Sequence, residues 1–193
     1  MNNNPQYHFT KDQLRKEVAD IHAARKNPAK FEVLYKRYYE QIMRFIYQRV
    51  DSRDVASDLT SQVFLKAMIN LKKYTDKGVP FASWLYRIAL NEVRLHFRDD
   101  KAAHVVNART EHLVGMISEM EEEADDNQVE QLVSAIDKLD DADVEILELR
   151  YFEQRSFKEV GEILEVTENN AKVRTYRVLD RLREVMQVQI HTK

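Results

Sequence analysis

One stretch, from Ser156 to Glu184, constrains the fold more than any other part of the chain, because it contains two amphipathic helical patterns separated by a tight turn. Ser156 and Glu159 form a capping box, in which the serine hydroxyl accepts the amide of Glu159 and the glutamate carboxylate reaches back. Thr167 is placed to cap the second helix. Two short capped helices joined by a tight turn predict a helix-turn-helix.

The second helix of this motif has a buried face and a polar face. Side chains that recur every three or four positions predict the buried face. They are Ala171, Thr175, Val178, Leu182 and Val185. The other face has the amides, bases and aromatic ring of a helix that lies in the DNA major groove, although a basic helix is also common as a plain solvated surface. Its residues are Asn169, Asn170, Lys172, Val173, Tyr176 and Arg177, flanked by Arg174, Arg181 and Arg183.

The turn between the two helices contains Glu165. Turns of this kind often have a glycine in the left-handed conformation, which costs a residue with a β-carbon about 1 kcal/mol. Glutamate is therefore an unfavourable residue for the expected turn geometry.

The scarcity of helix-breaking residues extends the helical prediction to the whole chain. The 193 residues include only 3 glycines and 3 prolines, and β-branched alternation is scarce, so we expect an all-α protein. The absence of cysteine excludes disulfides, thiolate metal ligands and cysteine nucleophiles. The polar first residues and the lack of a long apolar run predict a cytoplasmic protein with no membrane partner.

Charge is segregated along the chain, although the net charge is only -3. Segment 99–149 has 3 basic and 16 acidic residues, whereas segment 28–98 has 13 basic and 7 acidic residues. The acidic stretch lacks clear periodicity and predicts a solvated linker between two helical domains. We expect an N-terminal extension at 1–27 with one modest helix, a first domain at 28–98, an acidic linker at 99–127 and a second domain at 128–193, whose helical order is interrupted at Asp140-Asp141.

Two helical patterns open the first domain. The first runs from Phe31 to Val50, and we expect its apolar side chains, including Tyr35, to face a core. The second begins at Val55 and is expected to direct one set of side chains inward, leaving a polar set outside. The inward set is Leu59, Val63, Phe64, Ala67 and Leu71, and the outer set is Asp58, Ser61, Gln62 and Lys66.

A third pattern begins at Phe81, after a loop at 74–80, and runs to about Arg98. We expect Trp84, Leu85, Ile88 and Leu95 to be buried. We expect accessible positions for Tyr86, Arg87, Asn91, Arg94, His96, Phe97 and Arg98. Bases interleaved with aromatic rings suit single-stranded nucleic acid, in which rings stack on bases and arginines bind phosphates. For Trp84, simple packing in a core is the favoured interpretation.

The sequence contains no catalytic constellation. The 6 histidines lie far apart and have no metal-ligand spacing. The acidic run at 121–123 lacks a preorganised cage, and the chain has too few glycines for a phosphate loop. We therefore expect no enzymatic activity, no metal and no cofactor.

Two blocks of the chain resemble the extracytoplasmic-function sigma factors of bacterial RNA polymerase, compact members of the sigma-70 family. The first block, Phe31 to Arg98, contains VFLKAMINL and FASWLYRIALNEVR. The second, Leu139 to Arg183, contains LDDADVEILELRYFEQRSFKEVGEIL and the basic last helix. The resemblance implies an alternative sigma factor that binds polymerase core and directs promoter-specific transcription initiation. An anti-sigma factor is a further candidate partner.

The resemblance also implies roles for residues. The polymerase contact would be formed by Asp58, Leu59, Ser61, Gln62 and Phe64. The opened promoter element would be bound by Arg87, Asn91, Arg94 and Arg98. The upstream element would be read as duplex by Asn169, Asn170, Lys172, Val173, Arg174, Tyr176, Arg177 and Arg181. At the polymerase contact, Ser61-Gln62 replaces the family's usual Gln-Glu. On the duplex-reading helix, Asn169-Asn170 departs from a common Gly-Thr, so no promoter sequence is carried over.

Two other functions stay open. A two-domain regulator would bind duplex DNA on its own and use its first domain to sense a ligand or to dimerise. A helical interaction or adaptor protein would explain the amphipathic helices, but it would leave the paired caps and the basic face unexplained.

Overall fold

A computed structural model of the chain describes residues 9–98, 136 and 139–190. The regular structure within these ranges is helical, with no strand, which confirms the all-α prediction. The chain divides into two compact units, and each is described here by itself. The first eight residues of the N-terminal extension and the expected acidic linker at 99–127 lie outside the described residues.

The first unit contains four α-helices. They are α1 (Lys11–Lys26), α2 (Glu32–Tyr47), α3 (Arg53–Asn70) and α4 (Phe81–Arg98). Short 3₁₀ helices at Pro28–Phe31 and Leu71–Lys73 precede α2 and follow α3. Local side-chain caps define the starts of α1 and α3, because Thr10 accepts the amide of Gln13 at 3.2 Å and Ser52 accepts the amide of Asp54 at 3.2 Å.

The core of the first unit lies between α2, α3 and α4. Leu34, Ile42 and Phe45 of α2 are fully buried, and so is Leu85 of α4. The rings of Phe45 and Tyr86 pack edge to face with centroids 4.6 Å apart, a favoured aromatic geometry. Trp84 is also buried, against Tyr74 and Phe81, as the packing interpretation predicted.

Three core assignments made from the sequence are wrong. Tyr86 is fully buried instead of accessible, and its hydroxyl accepts a hydrogen bond from Gln41 at 2.9 Å. Leu95 is exposed instead of buried, because the buried positions in the last part of α4 are 89, 90, 92 and 93, whereas positions 94 to 96 are exposed. Tyr35 is exposed at the edge of α2, where its ring lies 4.9 Å from that of Phe64.

One face of α1 packs into the first unit. Ile21, Ala24 and the charged residue Glu17 are buried on this face. Glu17 accepts a hydrogen bond from the hydroxyl of Tyr38 in α2 and another from the amide of Phe81, the first residue of α4. A buried carboxylate requires such partners, because burying a charge without them is costly.

The second unit contains α5 (Asp141–Leu147), a π-helical turn at Glu148–Phe152, α6 (Phe157–Leu164) and α7 (Glu168–Ile190). The predicted interruption at Asp140-Asp141 is the start of α5, where the Asp140 carboxylate accepts the amide of Asp143 at 2.8 Å. The π-helical turn, which the sequence did not predict, closes with a bond of 2.9 Å from the Glu153 amide to the Glu148 carbonyl. Buried side chains in this unit include Ile146, Leu149, Val160, Ile163 and Val178.

Within the described part of the chain, no helix is both long enough and apolar enough to span a membrane.

Candidate nucleic-acid interfaces

Both predicted helix caps of the helix-turn-helix are confirmed. The Glu159 amide donates to the Ser156 hydroxyl at 3.2 Å, and the Ser156 amide donates to the Glu159 carboxylate at 3.0 Å. This reciprocal pair is the expected capping box. The Asn170 amide donates to the Thr167 hydroxyl at 3.1 Å at the start of α7. Local side chains therefore fix where both helices of the motif begin.

Two residues, Glu165 and Gly161, determine the geometry of the turn between α6 and α7. Glu165 has a φ of 57° and is left-handed, at the position where such turns often have a glycine. Gly161 lies against the incoming chain, since a β-carbon there would be 2.8 Å from the Val166 carbonyl oxygen and 3.2 Å from the Glu168 amide nitrogen. The sequence did contain a signal for this close approach, because Gly161 is an isolated glycine inside a helical pattern.

The buried face of α7 matches the prediction. Ala171, Thr175 and Val178 are fully buried and Leu182 is nearly so. The Thr175 hydroxyl donates to the Ala171 carbonyl at 2.8 Å, which satisfies a polar group inside the core. The side chain of Val185 lies outside the described residues. This buried stripe fixes the rotation of α7 about its axis and therefore determines which side chains remain outside.

Six side chains of α7 form its polar face. They are Asn169, Asn170, Lys172, Val173, Tyr176 and Arg177, and each is exposed. Arg174 beside them is half-buried. Tyr176 is supported from α6, because its ring lies 6.1 Å from that of Phe157. The Arg150 guanidinium lies 4.9 Å from the Phe157 ring, a cation–π distance.

Arg181 differs from Lys172 and Arg177 on the same helix. Its guanidinium pairs with the carboxylate of Asp143 in α5, although its side chain is 52% exposed. The Asp143 side chain is only 8% exposed and therefore has little access to water. Within the described residues, no ion pair is found at Lys172 or Arg177. The positive charge of Arg181 is thus partly neutralised inside the protein, whereas Lys172 and Arg177 remain available to a DNA phosphate or a nucleobase.

Arg87, Asn91 and Arg94 lie on one side of α4. Their spacing of four and three residues brings them together, opposite the buried stripe. Asn91 and Arg94 are exposed and Arg87 is half-buried. Near them, the rings of His96 and Phe97 lie 5.0 Å apart. The side chain of Arg98 lies outside the described residues. An amide, two guanidinium groups and accessible rings suit an unstacked strand.

The predicted polymerase contact on α3 needs a correction. Asp58, Ser61 and Gln62 are exposed, but Leu59 and Phe64 are only 6% and 3% exposed. Leu59 and Phe64 point into the core with Val63 and therefore belong to the packing of the unit and not to an accessible surface.

The exposed face of α3 also carries apolar side chains that the sequence analysis missed. Leu65 and Ile69 are 52% and 67% exposed. They follow Ser61 and Gln62 at helical spacing and extend the same side of the helix. The sequence did contain a signal for their exposure, because both apolar residues fall outside the set of α3 positions predicted to face the core. Exposed aliphatic side chains next to polar ones are typical of a protein-binding surface.

In the described ranges, no cluster of three or more His, Asp or Glu suited to a metal occurs.

Two domain families match this chain. Sigma-70 region 2 matches residues 34–103, and Sigma-70, region 4 matches residues 135–184. The first match contains α2, α3 and α4, and the second contains the helix-turn-helix. Together they cover more than half of the chain.

Known proteins are similar along most of the chain. The ECF RNA polymerase sigma factor BldN of Streptomyces coelicolor is 29% identical over 164 residues, which cover 81% of this chain and 60% of BldN. The RNA polymerase sigma factor YlaC of Bacillus subtilis is 29% identical over 136 residues, 69% of this chain and 78% of YlaC. The ECF RNA polymerase sigma factor SigW of Bacillus subtilis is 26% identical over 157 residues, 76% of this chain and 83% of SigW.

The fold is also shared with a solved structure of CnrH in complex with the cytosolic domain of CnrY. The TM-score is 0.58 at 20% sequence identity, over 89% of this chain and 97% of that chain. The region 2 match lies in the first unit and contains α2, α3 and α4, and the region 4 match contains the helix-turn-helix of the second unit. The chain therefore belongs to the extracytoplasmic-function sigma factors of the sigma-70 family, whose members direct RNA polymerase to promoters.

Proposed function

We propose that the chain divides promoter recognition between its two units. The second unit reads the upstream promoter element as duplex through α7, and the first unit binds polymerase core and the opened element through α3 and α4. The observation that carries this proposal is the polar face of α7, whose bases are exposed while the opposite face is closed by the core.

The polar face of α7 has the side chains needed for readout in the major groove. Arg177 has the fork that bonds a guanine edge, Val173 offers an apolar contact for a thymine methyl group, and Asn169 and Asn170 have amides that pair with adenine. Lys172 supplies a further positively charged side chain. A well-placed bidentate contact contributes about 1 to 3 kcal/mol of discrimination between bases. These residues lie in the first turns of α7, the part of a recognition helix that reaches base edges.

The exposed side of α4 is suited to the opened element. Asn91 has both a donor and an acceptor for the edge of an unstacked base. Arg87 and Arg94 lie one turn to either side, at a spacing that lets them bind the flanking phosphates. Arg98 extends this basic series toward the end of α4.

We propose the exposed face of α3 as the main polymerase contact. It combines the polar side chains of Asp58, Ser61 and Gln62 with the apolar side chains of Leu65 and Ile69. Burying the two aliphatic side chains against a partner contributes favourable free energy, and the polar residues at the rim give orientation.

The remaining assignments follow from this role. The chain would act in the cytoplasm as an initiation factor with no catalytic step of its own. By analogy with CnrH, which was solved with the cytosolic domain of CnrY, we propose an anti-sigma factor as a further partner. The domain limits at 28–98 and 128–193 are proposed as the working boundaries of the two recognition modules.

The test reconstitutes initiation with polymerase core on a promoter that the chain recognises. Lys172→Ala and Arg177→Ala should each reduce upstream-duplex affinity by about 5- to 150-fold, equivalent to about 1 to 3 kcal/mol. Asn91→Ala should instead reduce binding of the opened strand and leave duplex binding by α7 unchanged. None of the three should change affinity for core.

Lys36→Ala is a matched control, because it removes one exposed positive charge from α2, a helix that carries neither proposed DNA-binding face. It should transcribe normally. Specific duplex binding without core, and no stimulation of transcription with core, would instead support an independent regulator. Failure to bind either core or DNA would support an adaptor protein.

A further inference from the structure

We propose that α1 positions the strand-binding helix α4, with Glu17 and Arg25 holding the two ends of the loop at 74–80. This inference rests on the proposed function of α4. It gives the N-terminal helix, which has no part in the recognition surfaces described above, a defined role in promoter opening.

Glu17 holds the end of the loop. One carboxylate oxygen accepts the amide of Phe81, the first residue of α4, at 2.7 Å. The other accepts the hydroxyl of Tyr38 in α2 and lies 3.7 Å from the Arg37 guanidinium. Glu17 is 2% exposed. A single buried carboxylate therefore joins α1, α2 and the start of α4.

Arg25 holds the start of the loop. Its Nε donates to the Leu71 carbonyl at 3.0 Å, and its terminal nitrogen donates to the carbonyl of Tyr74. Arg25 follows Glu17 by about two helical turns, so the two side chains lie on the same side of α1. One helix face thus reaches both ends of the loop.

Packing holds the two ends of the loop but not its exposed middle, residues 75–78. A cleft of about 350 Å³ separates α1 from the loop start and is lined by Val18, His22 and Thr75, among others. Asp76 accepts the amide of Gly78 at 2.8 Å, and Gly78 has a φ of 66°, but both residues are exposed and contact solvent. Tyr74 packs against Phe81 and Trp84, and Val79 and Pro80 are buried, so the polar bonds from α1 add directional contacts at both packed ends of the loop.

The local sequence cannot replace Glu17. Four amides at the start of any α-helix lack a partner within the helix, and a side chain just before the helix usually accepts one of them. Here the preceding residue is Pro80, whose side chain has no acceptor. Glu17 supplies that acceptor, and its carboxylate is also favourable beside the positive end of the helix dipole.

The start of α4 determines where its strand-binding residues lie. Asn91 is ten residues beyond Phe81, about 15 Å along the helix axis at 1.5 Å per residue. A small change in the direction of α4 at its first turn therefore moves Asn91 relative to the surface that binds polymerase. Loss of the bonds from α1 should leave α4 helical but less well oriented, which weakens capture of the opened strand.

The test measures binding of an opened-element single strand by polymerase reconstituted with the full chain. Glu17→Ala and Arg25→Gln should each weaken this binding about tenfold, equivalent to about 1.4 kcal/mol, while affinity for core stays within about twofold. Glu17→Gln should retain most of the binding, because its amide oxygen still accepts the Phe81 amide. Asp12→Ala and Lys26→Ala are matched controls on exposed positions of α1 and should behave as the parent protein.

A double-mutant cycle separates positioning from simple loss of folded protein. If Glu17 acts through Asn91, adding Glu17→Ala or Arg25→Gln to Asn91→Ala should cost less than the same change costs alone. Purely structural roles would lower core affinity and strand affinity together, with additive losses, and that outcome would overturn the proposal. Equal strand binding by all α1 variants would overturn it as well.

The outcomes also separate this inference from the proposed function. A normal Asn91→Ala variant would refute the assigned strand contact. In that case, reduced strand binding by Arg25→Gln at unchanged core affinity would still support positioning of α4 by α1, whereas normal binding would reject it. A loss with Asn91→Ala but none with either α1 variant would keep the proposed function and reject the positioning role.

Discussion

Gly161→Ala tests whether the helix-turn-helix needs a glycine for space. The added β-carbon would lie 2.8 Å from the Val166 carbonyl oxygen, 3.2 Å from the Glu168 amide nitrogen and 3.3 Å from the Thr167 carbonyl carbon. All three are backbone atoms of the turn and cannot rotate away as a side chain could. Overpacking of this kind costs about 1 to 3 kcal/mol, and the close backbone contacts favour the upper half of that range.

A gain in helix propensity offsets part of the cost. Alanine is about 1 kcal/mol more favourable than glycine inside a helix. The net loss should therefore be about 1 to 2 kcal/mol for the second unit. With a denaturant dependence of about 1 kcal/mol per molar urea for a small unit, the unfolding midpoint should fall by about 1 to 2 M.

The assay can assign the loss to the correct unit. Trp84 is the only tryptophan and lies in the first unit, so its fluorescence reports unfolding of that unit alone. Far-ultraviolet circular dichroism reports the helices of both units. Gly161→Ala should shift a circular dichroism transition and leave the Trp84 transition in place.

Glu165→Gly is the comparison within the same turn. Glycine relieves a left-handed strain of about 1 kcal/mol, but it loses a similar amount through the greater freedom of the unfolded chain. Its midpoint should barely move. An unchanged or higher midpoint for Gly161→Ala would refute the argument from space, because it would show that the turn shifts to admit the methyl group.

Two further predictions concern buried carboxylates. Burial raises the pKa of Glu17 above its usual value, so the folded state binds this proton more tightly than the unfolded state; the resulting stability is complete below the usual glutamate pKa and is lost as pH rises through the raised pKa. Urea midpoints from Trp84 fluorescence should therefore fall as pH rises across the interval between these two pKa values in the parent, and should fall less in Glu17→Gln. The same dependence of the midpoint on pH in both proteins would exclude Glu17 as the source of the pH effect. Arg181→Ala should destabilise the second unit by about 1 kcal/mol, because Asp143 loses its partner while the exposed arginine is already screened by water. The salt dependence of its duplex affinity should change less than that of Lys172→Ala, and an equal change would show that Arg181 also contacts phosphate.

The sequence predicts the local features of this chain well. The caps at Ser156 and Thr167 require partners only three residues away, and the buried stripe of α7 follows from helical spacing. The left-handed conformation of Glu165 follows from turn chemistry. In each case the physical cause lies within one or two helical turns, so neighbouring residues are sufficient to predict it.

The failures concern features set by tertiary packing. The sequence analysis grouped Tyr86 with the accessible basic residues of α4, but packing of α4 against α2 buries it beside Phe45. Leu59 and Phe64 are a different case, because helical spacing already placed both side chains inward and only the family resemblance suggested that they contact polymerase. The role of Glu17 has no local signal, because its main partners, Tyr38 and Phe81, lie 21 and 64 residues away. The ion pair of Arg181 with Asp143 is similarly nonlocal.

The bond between Glu17 and Phe81 has a consequence for the order of folding. Phe81 is added to the chain 64 residues after Glu17, which takes roughly 3 to 13 seconds at about 5 to 20 residues per second. During that interval the future buried carboxylate stays hydrated, while α2 and α3 can already pair as neighbours in sequence. Contacts of long sequence separation also carry a loop-closure entropy that local pairs avoid. Docking of α1 is therefore a late step in the folding of the first unit, and a nascent chain that stops before Phe81 leaves Glu17 without its helix-capping partner.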